Sequence, residues 1–121
     1  MQDFFLAAEK QTEFLNGDSE IIPGIRVEVV PGHNRDMQCV RIESEGQQAC
    51  FISDLVPTRA HLHFPWMMSF DLYPLETLSN KQRLLPQLAE QEALVIFPHD
   101  TSAPWVKLVE SDGKIAAQSL P

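Results

Sequence analysis

Three short elements stand far apart along the chain: Pro31-Gly32-His33, Ser53-Asp54 and Pro98-His99-Asp100, each just past a stretch patterned as a β-strand. Imidazole nitrogen and carboxylate oxygen both bind divalent transition metals, and a strand end holds such side chains rigidly. By residue type, His33, Asp54 and His99 therefore make a two-histidine, one-carboxylate set. The plainer alternative is that they are hydrogen-bonded structural groups. A mononuclear iron site has the same composition, but the close His-x-Asp spacing usual for it is not found here. Context favours a site: Pro31-Gly32 frees the backbone ahead of His33, and a carboxylate directly beyond an apolar strand, as at Asp54, is costly unless something binds or pairs it.

The elements that must position these groups can be read from periodicity. Asp3 to Leu15 spaces Phe4, Ala7, Ala8 and Leu15 as one amphipathic helix ending near Asn16-Gly17. Ile25 to Val30 and Cys39 to Glu43 alternate as strands, Gly46 lies in the following turn, and Ala49 to Ser53 returns to complete a hairpin. Pro57 to Pro74 is irregular and rich in aromatics and histidine, a length of connection that is more often functional than idle. Pro74 suits the first position of a helix with the stripe Leu75, Leu78, Leu85 and Leu88, kinked or restarted at Pro86. Ala93 to Phe97 is a second wholly apolar strand, and Trp105 to Glu110 with Lys114 to Gln118 forms a hairpin about Asp112-Gly113. Ala49 to Ser53 and Ala93 to Phe97 are apolar on both faces and so are expected inside a layered α/β arrangement.

With 121 residues and 44% hydrophobic content the chain is expected to form one compact domain, 1-121. Nine basic against seventeen acidic residues give a formal charge of -8 with no basic cluster, which argues against nucleic acid and anionic membranes as partners. The longest apolar runs fall well short of the roughly 20 residues of a membrane span. The start of the chain lacks the pattern of a secretory signal, so the cytoplasm is the expected location. Cys39 and Cys50, on neighbouring strands, read as small buried thiols in a reducing compartment.

In order and context, Pro31-Gly32-His33, the strand-ending Asp54 and the late His99 resemble the C-terminal half of the metallo-β-lactamase superfamily, over a match running from about Asn16-Gly17-Asp18 through Ile22-Pro23-Gly24-Ile25 to His99-Asp100. Ser53-Asp54-Leu55-Val56-Pro57-Thr58, His61-Leu62 and Asp71-Leu72-Tyr73-Pro74 look most like its lactonase branch, similar to enzymes that open acyl-homoserine lactones. The resemblance implies zinc as cofactor, with His33 a ligand of a first metal, Asp54 the bridging carboxylate and His99 a ligand of a second. It places His61 near the substrate or behind the ligands, the alternative being a loop histidine that is exposed or packed on Trp66. His63 reads as a plain loop histidine. Asp71 is either a site-facing acid or, the reading favoured by its position, a helix-start residue that suits the dipole.

The family's His-x-His-x-Asp-His motif belongs to the N-terminal half and has no match in this sequence. His61-Leu62-His63-Phe64-Pro65-Trp66 imitates its start, but Pro65 and Trp66 stand where Asp and His are required. The resemblance thus implies half of a four-layer αββα sandwich: one mixed sheet with helices on one face, the other face to be covered by a second chain. That cover would be a second copy in a homodimer or a complementary N-terminal half chain. The function expected is that of a half-domain, not catalytically competent alone. The alternative is a metal-dependent lactone or ester hydrolase completed by a partner chain.

Overall fold

The computed structural model describes residues 11–118. Seven strands form one sheet in sequence order: β1 Ser19–Ile22, β2 Ile25–Val29, β3 Gln38–Ser44, β4 Gln47–Phe51, β5 Leu94–Ile96, β6 Trp105–Ser111 and β7 Lys114–Gln118. Every neighbouring pair is antiparallel except β4 and β5, which run parallel. A parallel pair needs a crossover, and the segment between β4 and β5 supplies it through one helix, α1, Pro74–Glu90. The hairpin turns follow from residues that tolerate φ > 0: Glu45-Gly46 joins β3 to β4 and Asp112-Gly113 joins β6 to β7.

Strand register sorts side chains onto two faces. Arg26, Arg41, Cys50, Val95 and Val106 make one row across β2 to β6. This face carries the core, where Cys39, Cys50, Ile52, Val95, Val106 and Leu108 pack with Leu84, Leu85 and Leu88 of α1. The opposite face presents Val27, Val40, Phe51, Ile96 and Trp105 in one row and Ile25, Ile42, Ala49 and Leu94 in the next. Among the described residues no helix packs on it; Phe51, Val40 and Ile96 are half-buried and Trp105 is 56% exposed. The sheet is thus mixed, with its described helix on one face, as the sequence implied.

Several expectations need correction. Most of the N-terminal helix expected over Asp3 to Leu15 lies outside the described residues, and Thr12 to Asn16 carries no regular structure. Strand β1 was not anticipated: Ser19–Ile22 is a bulged edge strand whose Ile21 and Ile22 are exposed, so it lacks the alternation that marks a half-buried strand. The strand expected over Ala49 to Ser53 ends at Phe51, and Ser53–Leu55 forms a short 3-10 turn entered with Ser53 at φ 53°.

Helix α1 runs unbroken through Pro86. The carbonyl that loses its partner there belongs to Gln82, which faces solvent, so water can take the place of the missing N–H. The buried stripe is Thr77, Lys81, Leu84, Leu85 and Leu88, whereas Leu75 is 79% exposed. Lys81 lies inside because its ammonium donates to the carbonyls of His63 (2.8 Å), Phe64 (3.2 Å) and Trp66 (2.8 Å), which closes the aromatic connection over the helix. The free thiols Cys39 and Cys50 are buried as expected. The Cys39 thiol donates to Ile52 O at 3.1 Å, and the neighbouring Cys50, then burial, push it above its ordinary range.

Candidate functional site

Because β2 and β4 are each antiparallel to β3, and β5 is parallel to β4, strands β2, β4 and β5 all run the same way. His33, Asp54 and His99 follow these three strands and therefore gather at one end of the sheet. The turn carrying His33 is drawn against the start of α1: Gly32 approaches Thr77 so closely that a Cβ there would meet Thr77 Oγ1 and lie 2.8 Å from its Cα. The carbonyls of Gly32 and His33 accept from the backbone N–H groups of Tyr73 (2.8 Å) and Leu72 (3.3 Å).

Asp54 lies between the two histidines. Its Oδ2 is 3.8 Å from His33 Nε2 and its Oδ1 is 3.0 Å from His99 Nε2. Oδ1 is buried yet has no hydrogen bond, because the His99 contact is close in distance but not aligned as one. A buried carboxylate oxygen without a hydrogen bond is rare and marks a place where another electropositive group fits.

Asp71 belongs to the site. Its side chain is 2% exposed, its Oδ1 lies 3.1 Å from His33 Nδ1, and its Oδ2 accepts from Thr77 Oγ1 at 3.1 Å. The reading favoured from sequence, a helix-start acid, is therefore corrected: the carboxylate orients an imidazole, as carboxylates behind metal-binding histidines do. Phe70 closes the same ring at its edge, centroid to centroid 5.8 Å.

His99 is also held through its backbone and its chain neighbour. Its backbone N–H donates to Pro57 O at 3.0 Å. Neighbouring Asp100 accepts from Arg59 N and Nε, from Ser102 N and Oγ, and from Ala103 N, which ties the β5–β6 connection to the turn at Arg59–Leu62. These bonds, led by that from the Arg59 N–H, hold the Asp100 carboxyl well below the usual carboxylate range.

His61 pairs with Thr58, Nδ1 to Oγ1 2.8 Å, and among the described residues no hydrogen bond links it to His33, Asp54 or His99. Burial, and next the nearby Lys81, lower its pKa. It is His63 that lies against Trp66, with ring centroids 5.8 Å apart.

Each oxygen of Asp54 thus faces one histidine, an arrangement suited to a carboxylate shared between two cations. A zinc site, however, needs three or four protein ligands, and here each side offers one imidazole and one oxygen. Among the described residues no group of three or more His, Cys, Asp or Glu side chains is placed to hold a metal ion. The chain alone does not fit a complete metal centre.

No protein-family model matches the sequence. No curated protein matches it either. Solved structures do. A probable metal-dependent hydrolase from Staphylococcus aureus superposes with a TM-score of 0.82 and 26% identity, over 93% of this chain and 42% of that one. AidC, a dizinc quorum-quenching lactonase solved with a homoserine product, gives 0.82 and 18%, over 99% of this chain and 42% of its own. The hydrolase AbOPH of the beta-lactamase superfamily gives 0.77 and 15%, over 97% and 42%. The chain therefore spans about two-fifths of the length of these structures. Among the described residues, no helix is long and apolar enough to cross a membrane. One mixed sheet, its crossover helix and this partial overlap identify the fold as part of the metallo-β-lactamase fold, consistent with its C-terminal half.

Proposed function

We propose that the chain acts as a half-sandwich that pairs with a second copy through the sheet face opposite α1 and that a single chain is not a competent hydrolase. One observation carries this reading: Asp54 turns one oxygen to His33 and the other to His99, so each side of the carboxylate has two donors where a working centre has at least three. The apolar rows on the face that no described helix covers give the chain a reason to associate, since burying such area contributes ~25 cal/mol per Å2. Light scattering, metal analysis and a lactone-hydrolysis assay on the purified chain test it. A dimer without hydrolysis supports the reading, and a monomer that hydrolyses lactones overturns it.

A second reading has support of its own in the unbonded Asp54 Oδ1, which would suit a cation held jointly with ligands from a different chain. In it, this chain is one part of a metal-dependent hydrolase of lactones or esters, and zinc polarises the carbonyl and lowers the pKa of the attacking water. Mixing the chain with one carrying His-x-His-x-Asp-His would then give a stable heterodimer that hydrolyses a lactone. Neither partner alone would do so.

A further inference from the structure

We propose that the end of the sheet opposite His33, Asp54 and His99 carries a second site, a cavity that takes a small zwitterion of the α-amino acid class between the guanidiniums of Arg26 and Arg41 and the carboxylates of Glu20 and Glu43. The site lies on the α1 side of the sheet, away from the face proposed above for pairing.

The cavity exists because the helix stops before the sheet does. Helix α1 closes at Glu90, and Gln91 just past it accepts from Arg41 Nη2 at 2.6 Å. Beyond that contact β3 runs on to Ser44 and β4 begins at Gln47, so the row of Glu43 with Gln48 lies past the helix end. The step between helix and sheet is a cavity of about 440 Å3, lined by Arg26, Arg41, Glu20, Glu43, Gln48 and Gln91 among others. That volume suits a small molecule.

Strand register sets the charges. Arg26 and Arg41 are direct partners across β2 and β3, and like charges placed directly opposite destabilise a sheet. Arg41 is answered within the chain: it is 7% exposed, bonded to Gln91, and 4.0 Å from Glu28, which also pairs with Arg83 at 2.6 Å. Arg26 is not. Among the described residues no hydrogen bond or ion pair reaches its guanidinium, although Glu20 stands opposite it across β1 and β2. A carboxylate bound between the two arginines would supply the missing counter-charge in the forked geometry that guanidinium favours.

The rest of the lining argues against a plain anion. Glu43 sits one row beyond Arg41 on the same face, ~7 Å along the strand, with Glu45 at the adjoining turn and Glu20 beside Arg26. A phosphate would meet these carboxylates as well as the guanidiniums, and a simple cation would meet the reverse conflict. A molecule carrying an ammonium next to its carboxylate satisfies both rows. The Gln48 amide, which lines the same cavity, can donate to and accept from a polar side chain.

The test uses the full chain and the ordinary L-amino acids, each titrated alone at neutral pH with binding read by calorimetry. The expected result is saturable binding of at least one of them, with affinity falling about tenfold or more when the same molecule lacks either its ammonium or its carboxylate. Arg26→Gln and Glu43→Gln, both at exposed positions, should each weaken that binding by a similar factor while the free chain keeps its circular dichroism spectrum and melting temperature. No binding by any amino acid overturns the site. Binding that both variants retain at full strength overturns it too. A deaminated acid or inorganic phosphate that binds as tightly as the amino acid marks a plain anion site and overturns the zwitterion. These readouts are separate from the oligomeric state, so their failure leaves the pairing of two copies untouched.

Discussion

Asp71 Oδ1 lies 3.1 Å from His33 Nδ1, which leaves Nε2 as the ring nitrogen turned toward Asp54. A carboxylate oxygen can only accept, so Nδ1 carries the hydrogen, and in the neutral tautomer Nε2 has the lone pair. One contact thus decides which atom of His33 is offered to the site. Asp71→Ala removes it and also the bond from Thr77 Oγ1, which keeps only its long contact to Tyr73 O, at an expected loss of about 1 to 3 kcal/mol of unfolding free energy. Urea denaturation measures the loss. Asp71→Asn, which keeps the shape, should recover part of the stability but present the imidazole differently in a histidine NMR spectrum.

Gly32 sets how near the His33 turn can come to α1. Since a methyl group there would overlap Thr77, Gly32→Ala must push the turn away from the helix, and overpacking of this kind costs about 1 to 3 kcal/mol. The expected outcome is a lower melting temperature together with a changed environment for His33 and Tyr73.

Asp100 supplies an acid-side prediction. Its folded pKa is depressed by the bonds from Arg59, Ala103 and Ser102, so its stabilisation is present above the unfolded value of about 3.9 and is lost as pH falls below it. Comparing wild type with Asp100→Asn in denaturant at pH 6 and at pH 2 cancels the other groups. The difference in stability should be clear at pH 6 and should shrink at pH 2.

Lys81 supplies the opposite sign. Burial lowers its pKa to about 8, with Asp71 pulling weakly the other way. Between that value and an unfolded value near 10.4 the unfolded chain binds more protons, so this group makes stability rise with pH across the interval. Wild type should therefore gain on Lys81→Met from pH 7.5 to pH 10. At pH 7 the same substitution leaves three carbonyls without their donor and should cost about 1 to 3 kcal/mol, read from the urea midpoint.

Much of the sheet was legible because hairpins announce themselves locally. Glu45-Gly46 and Asp112-Gly113 fix two turns, and the runs around Cys50 and Val95 are too apolar for an edge. The convergence of His33, Asp54 and His99 was legible too, since all three follow strand signals and the crossover makes those strands run alike. What escaped depends on partners distant in sequence. Asp71 reads as a helix-start acid until His33, 38 residues away, is placed beside it. Lys81 reads as a surface cation until the carbonyls of His63, Phe64 and Trp66 surround it, and its burial, with Leu75 left outside, turns the helix stripe from the one that leucine spacing suggests. Pro86 would break a helix whose orphaned carbonyl pointed inward, which sequence alone does not reveal.

The lone parallel pairing, β4 with β5, has a kinetic consequence. Every other neighbouring pair is antiparallel and joined by a short connection, so β1 to β4 and β5 to β7 can each zip up from their own turns. Only the seam between these two meanders must wait for the long connection and α1 to swing across. Closing a loop of that length is the entropically expensive move, so that seam should set the refolding rate.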